Sequence, residues 1–149
     1  MKNGFYILSQ FEQIEVDELT FKIILEGKHM QDIKDFHQEM AEKLEIPDEY
    51  GKNWDALGEV LNDLSWLDYN HFAFFIKDYD LLLQKEDFEQ KSEFLSILDG
   101  AMDEWENVPN YEGEDEYREV SGFRVYVERE TAIVEDLIEL ELDNRIIAE

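Results

Sequence analysis

The stretch Ile46-Pro47-Asp48-Glu49-Tyr50-Gly51-Lys52-Asn53-Trp54-Asp55-Ala56-Leu57 decides how this chain is read. Pro47 cannot continue a helix and Gly51 permits a tight turn, so a helix arriving from upstream stops here. Asn53 or Asp55 can cap the next helix through a side-chain oxygen. From there Trp54, Leu57, Leu61 and Leu64 recur at helical spacing, which predicts a helix from Trp54 to Leu64. On its wheel these residues share one face, while Asp55, Glu59, Asn62 and Asp63 gather on the opposite one. One face belongs to a core and the other is offered outward.

Upstream, Phe21-Lys22-Ile23-Ile24-Leu25 reads as a strand closed by Glu26-Gly27. Ile33, Phe36, Met40 and Leu44 then mark a helix, with Asp32 and Asp35 suited to its positive N-terminal end. Downstream, the link Ser65 to Asn70 leads into His71-Phe72-Ala73-Phe74-Phe75-Ile76, which does not alternate and so predicts a strand buried on both faces. Helical periodicity returns from Asp87 to Glu106, with Phe94, Leu95, Leu98, Met102 and Trp105 on the core face, and Asn107-Val108-Pro109-Asn110 ends it. Tyr111 to Tyr117 reads as an acidic loop, and Phe123 to Val127 as a third strand. The order β-α-α-β-α-β predicts an α/β fold with a small parallel three-stranded sheet flanked by helices. Gly4 to Val16 has room for a further strand, and Thr131 to Glu149 suits a helix better than the partial alternation of Leu137 to Leu142.

A length of 149 residues with 44% hydrophobic content suits one well-buried core, so a single domain over residues 1–149 is expected. The absence of cysteine excludes a disulfide framework. Met1 to Tyr6 lacks the apolar stretch of a secretory signal, and no apolar run reaches membrane-spanning length, so the expected location is the cytoplasm. The 39 acidic and 13 basic residues give a formal net charge of −26, which disfavours nucleic acid as a direct partner and favours a basic protein. Residues Asp99 to Glu149 carry 17 acidic and four basic side chains, half of that net charge.

The stretch from Tyr50 to Leu57 resembles the barstar family, intracellular inhibitors of barnase-type ribonucleases, whose Tyr-Gly-x-Asn-(Leu/Trp)-Asp-Ala-Leu segment opens the inhibitory helix. The resemblance runs without a gap from Lys22 to Leu64, taking in Gly27, the His37-Gln38 helix and the Pro47 turn. It continues from His71 to Val127 in the same element order with an insertion. It implies a core at about residues 20–128, with extensions at 1–19 and 129–149. It also implies that the helix and the loop before it plug a nuclease active site, presenting carboxylates where RNA phosphates would sit. By position, Tyr50, Asn53, Trp54, Asp55 and Ala56 match the loop and helix start, and Glu59 falls where the family has its key aspartate, reaching one methylene further. A second acidic contact falls at Glu104 or its neighbour Asp103. The chain departs from the family at Glu49, where a second tyrosine is usual, at Gly58, where a tryptophan stands, and at Asn62 and Asp63, in place of threonine and glycine.

Each of these residues also has a plain structural use. Trp54 serves equally as core or contact, Asn53 and Asp55 cap a helix without any partner, and Glu59 and Asp63 suit a solvated face. Trp66 offers a further aromatic anchor. The cluster Glu112, Glu114, Asp115 and Glu116 lacks the ligand spacing and turn glycine of a calcium loop. His29, His37 and His71 are scattered without metal-ligand spacing, and no phosphate-binding glycine loop or nucleophile motif occurs. No catalytic residue, cofactor or metal ligand is therefore assigned. The expectation is a monomeric immunity or antitoxin protein against a basic toxin. The competing readings are an acidic mimic of nucleic acid, acting through the tail from Glu112 to Glu149, and a regulatory interaction domain without a nuclease target.

Overall fold

The computed structural model describes residues 2–11, 14–106 and 122–147. In chain order its elements are β1 (Gly4–Leu8), β2 (Thr20–Glu26), α1 (Ile33–Lys43), α2 (Trp54–Asp63), β3 (His71–Lys77), α3 (Phe88–Glu106), β4 (Gly122–Glu128), α4 (Ile133–Glu139) and β5 (Ile146–Ile147). The helix stop at Asn107 to Asn110 and the acidic segment Tyr111 to Tyr117 lie outside the described residues.

The three strands expected from the sequence are β2, β3 and β4, and they lie side by side in parallel, with Thr20 opposite His71 and Phe72 opposite Phe123. The sheet nevertheless has five strands rather than three, in the order β2-β3-β4-β1-β5. The first strand pairs with β4 from Gly4 opposite Arg124 to Leu8 opposite Glu128, and Phe5 and Tyr6 receive β5 on the other side. All five residues of β1 are buried, because a strand with a neighbour on each edge and packing on each face has no side left for solvent. The C-terminal segment is helical only as far as Glu139. A 3₁₀ turn at Asp143–Arg145 then delivers Ile146 and Ile147 to the sheet edge.

Alternation along the strands divides the core. Phe5, Ile7, Ile23, Leu25, Phe72, Phe74, Ile76, Phe123, Val125 and Val127 face the helices and join Phe36, Met40, Leu57, Leu61, Phe94, Leu98, Met102, Ile133 and Leu137 in one cluster. Tyr6, Leu8, Ala73, Phe75 and Tyr126 form a smaller cluster on the opposite face, covered by Phe11, Ile14, Val16 and Ile147. Burial of a large apolar side chain contributes about 1.5–3 kcal/mol, so the helical face carries most of the hydrophobic stabilisation. Both terminal segments are also tied by polar contacts. The Asn3 amide donates to the Met102 carbonyl at 3.1 Å and accepts from the Phe123 N–H at 2.9 Å. Arg145 donates to Asp99 at 2.7 Å and to Glu106 at 3.0 Å, with Asp103 at 3.6 Å. Among the described residues no helix is long and apolar enough to cross a membrane.

Candidate protein-binding site

The loop between α1 and α2 is shaped by how each helix closes. At the end of α1, Glu45 takes a left-handed conformation with φ 51°; its N–H bonds the Glu42 carbonyl at 3.3 Å and the Ile46 N–H bonds the Ala41 carbonyl at 3.0 Å. That pair of bonds is a Schellman closure, which satisfies carbonyls the helix would otherwise leave open. Trp66 helps from outside, its indole N–H donating to the Leu44 carbonyl at 3.0 Å. Pro47 follows, a turn returns the Tyr50 N–H to the Pro47 carbonyl at 3.1 Å, and Asn53 opens α2. Of the two candidate caps it is Asn53 whose Oδ1 accepts from the Ala56 N–H, at 2.8 Å. Asp55 stands exposed in the first turn, where helix-end polarity favours a carboxylate.

Beneath the loop sits an aromatic brace. His37 of α1 is 3% exposed, and its Nδ1 lies 2.5 Å from the Tyr50 hydroxyl. Burial, with Lys52 as a second contributor, pushes the imidazole down to about 4, so it is neutral near pH 7. Burial likewise pushes the Tyr50 phenol well above its ordinary value. Trp54 turns inward: its ring lies 5.1 Å from both Phe36 and His37, and its N–H donates to Gln90 of α3 at 2.8 Å. A second indole, Trp105, donates to the Leu61 carbonyl at 2.7 Å. These two bonds join start to start and end to end, so α2 and α3 run side by side in the same direction.

Above this brace an open groove of about 230 Å³ runs between the loop and α2. Its apolar lining comes from Ile46, Pro47, Tyr50, Ala56, Val60 and Trp66, and its carboxylates are Glu49, Glu59 and Asp63. The structure therefore brings Tyr50, Ala56, Glu59 and Asp63 together. Asn53, Asp55 and Asn62 are exposed on α2 or at its start but do not line the groove. Trp54 is half-buried beneath it, and Glu104 lies on α3 outside it. The alternative to Glu104, Asp103, is turned toward Arg145. Sequence reasoning did not anticipate Val60 or Ile46 in the lining. The signal for Val60 was present, since Ala56, Glu59, Val60 and Asp63 make an i, i+3, i+4, i+7 stripe. His37 and Gln90 carried no such signal, because their partners are distant in sequence.

An acidic rim around an apolar floor, held on a braced helix start, is suited to receive a cationic side chain with an aliphatic or planar body. A family model described as Barstar (barnase inhibitor) matches residues 20–127, which take in the whole of this site. The chain belongs to the barstar family. Its barstar span reaches from β2 to β4, so β1, α4 and β5 lie outside it. The chain is similar to a Bacillus subtilis (strain 168) protein named "Putative ribonuclease inhibitor YrdF", with 34% identity over 91 residues that cover 52% of this chain and 98% of that relative.

Proposed function

We propose that this chain is a protein inhibitor, an immunity or antitoxin protein that blocks the basic active site of a barnase-like ribonuclease with α2 and the loop before it. The observation that carries this reading is the grouping of Glu49, Glu59 and Asp63 around the apolar groove, on a frame fixed by the Asn53 cap and the His37–Tyr50 contact. A nuclease site built from arginine, lysine and histidine to hold phosphate meets in this surface carboxylates at helical spacing. Glu59 supplies the main inhibitory charge, with Asp63 in the same groove and Asp55 and Glu104 as further acidic contacts outside it. Tyr50, Asn53, Ala56 and Asn62 make the closer packing contacts, and Trp54 supports them from below. Glutamate in place of aspartate at 59, Glu49 in place of a tyrosine and Gly58 in place of a tryptophan suit a target other than barnase itself. The inhibitor acts in the cytoplasm as a monomer, and the inhibitory contacts themselves use no cofactor.

The test is inhibition of barnase-type ribonucleases, read from cleavage of a fluorogenic RNA, for the parent chain and for Glu59→Ala and Asp55→Ala. Each substitution should weaken binding by about 2–4 kcal/mol, mostly through faster dissociation, while the melting temperature stays unchanged for Glu59→Ala and falls only slightly for Asp55→Ala, which loses a favourable charge at the start of α2. Undiminished inhibition by both variants would remove α2 from the interface. Binding to basic proteins that survives both substitutions and is released only by salt would instead support diffuse charge mimicry.

A further inference from the structure

Away from the groove, Glu26, His29 and Glu39 turn three donor atoms toward one another where β2 meets α1. His29 Nδ1 lies 3.4 Å from Glu26 Oε2 and 3.6 Å from Glu39 Oε2, and all three donor atoms fall within 4.8 Å of each other. The backbone sets this arrangement: Glu26 ends β2, His29 ends the 3₁₀ turn Gly27–His29, and Glu39 comes back from α1. Gly27 lets the backbone just after β3 pass close to the start of this turn, since a Cβ there would meet the Asp78 carbonyl oxygen at 2.1 Å.

The Glu39 side chain is only 12% exposed, and its Oε2 is buried with no hydrogen-bond partner among the described residues. A buried carboxylate oxygen without a donor is costly, and the nearest candidate, His29, stands beyond hydrogen-bond distance. Lys28, with Nζ at 4.0 Å, approaches the other oxygen of Glu26, so the inward-facing atoms remain directed at one another. In a tetrahedral zinc site with bonds of about 2.0–2.1 Å, neighbouring donor atoms are separated by about 3.3–3.4 Å. The Glu26–His29 pair already has that spacing and the His29–Glu39 pair is a few tenths of an ångström longer, leaving one edge to close. One imidazole nitrogen with two carboxylate oxygens suits a borderline transition ion and suits magnesium poorly, because magnesium demands octahedral oxygen donors.

We propose that Glu26, His29 and Glu39 bind one zinc ion, with water from the exposed side completing the tetrahedron. The ion ties the end of β2 to α1, the helix whose His37 holds Tyr50 behind the groove.

The test uses the full chain, stripped with chelator and titrated with zinc chloride by calorimetry in excess magnesium chloride, which occupies diffuse acidic surface. One zinc per chain should bind saturably and raise the melting temperature. His29→Ala and the isosteric Glu39→Gln should each weaken binding at least roughly tenfold and abolish the thermal shift. Glu89→Gln, an exposed carboxylate in the first turn of α3, should bind zinc as the parent does. Cobalt in place of zinc should give the intense visible absorption of a tetrahedral site in the parent and not in Glu39→Gln. Absence of saturable binding, or binding of several ions that is indifferent to both substitutions, would overturn the proposal.

Discussion

His37 Nδ1 and the Tyr50 hydroxyl lie 2.5 Å apart, joining the middle of α1 to the loop that opens α2. The imidazole is pushed down to about 4 from its ordinary 6.5, so the folded protein resists a proton that the unfolded chain accepts. Above pH 6.5 both states are neutral there and this contribution is whole. Between pH 6.5 and 4 the unfolded state binds more protons, so stability falls with pH, by up to roughly 3 kcal/mol in total. Urea denaturation at stepped pH, compared with His37→Gln, isolates the effect from the many surface carboxylates. The variant should show a shallower decline over that window, and parallel curves would contradict the assignment.

The rim carboxylates make a separate prediction about rate. Asp63 is exposed at the far end of the groove, so Asp63→Asn should lower the association rate with a basic partner about two- to fivefold and reduce its salt dependence, with little change in dissociation. Stopped-flow association at two ionic strengths reads both quantities. An effect confined to dissociation would mean that Asp63 is buried in the complex.

Gly58 lies inside α2, and a Cβ added there meets nothing within 4 Å. Gly58→Ala should therefore stabilise the protein by about 0.5–1 kcal/mol through helix propensity alone. Thermal unfolding measures this directly. Destabilisation would show that a neighbouring side chain occupies the space.

Arg145 gathers Asp99, Asp103 and Glu106, which lie four and three residues apart on one face of α3. Its side chain is 15% exposed and those of its partners are 31%, 65% and 37% exposed, so screening moderates each pair. Arg145→Met should cost about 1–2 kcal/mol, because three like charges are left adjacent. The deficit should shrink in high salt, as followed by urea midpoints. A salt-independent deficit would point to lost packing of the arginine stem.

Much of this architecture is legible in the chain because its signals are local. Asp32 and Asn53 cap α1 and α2, Pro47 separates them, and the non-alternating run from Phe72 to Ile76 announces a buried strand. The two further strands, β1 and β5, were not legible in the same way. Gly4–Leu8 is short and apolar throughout, and Ile146–Ile147 is too brief to carry any period, so only their partners 120 and more residues away define them. The groove follows a helical stripe that spacing reveals. The contacts of His37 with Tyr50 and of Trp54 with Gln90, and the convergence of Glu26, His29 and Glu39, come from tertiary folding and correspond to no linear spacing.

The place of β1 between β4 and β5 bears on how the chain matures. Its apolar segment leaves the ribosome before β2, β3 and α3, yet its hydrogen-bonding neighbours emerge only from residue 122 onward. Closing a loop of that length before any reward is collected slows folding. During synthesis the β2 to α3 region can begin to pack while the segment Gly4-Phe5-Tyr6-Ile7-Leu8 waits for its partners. A strand made before β2 is thus among the last to be paired.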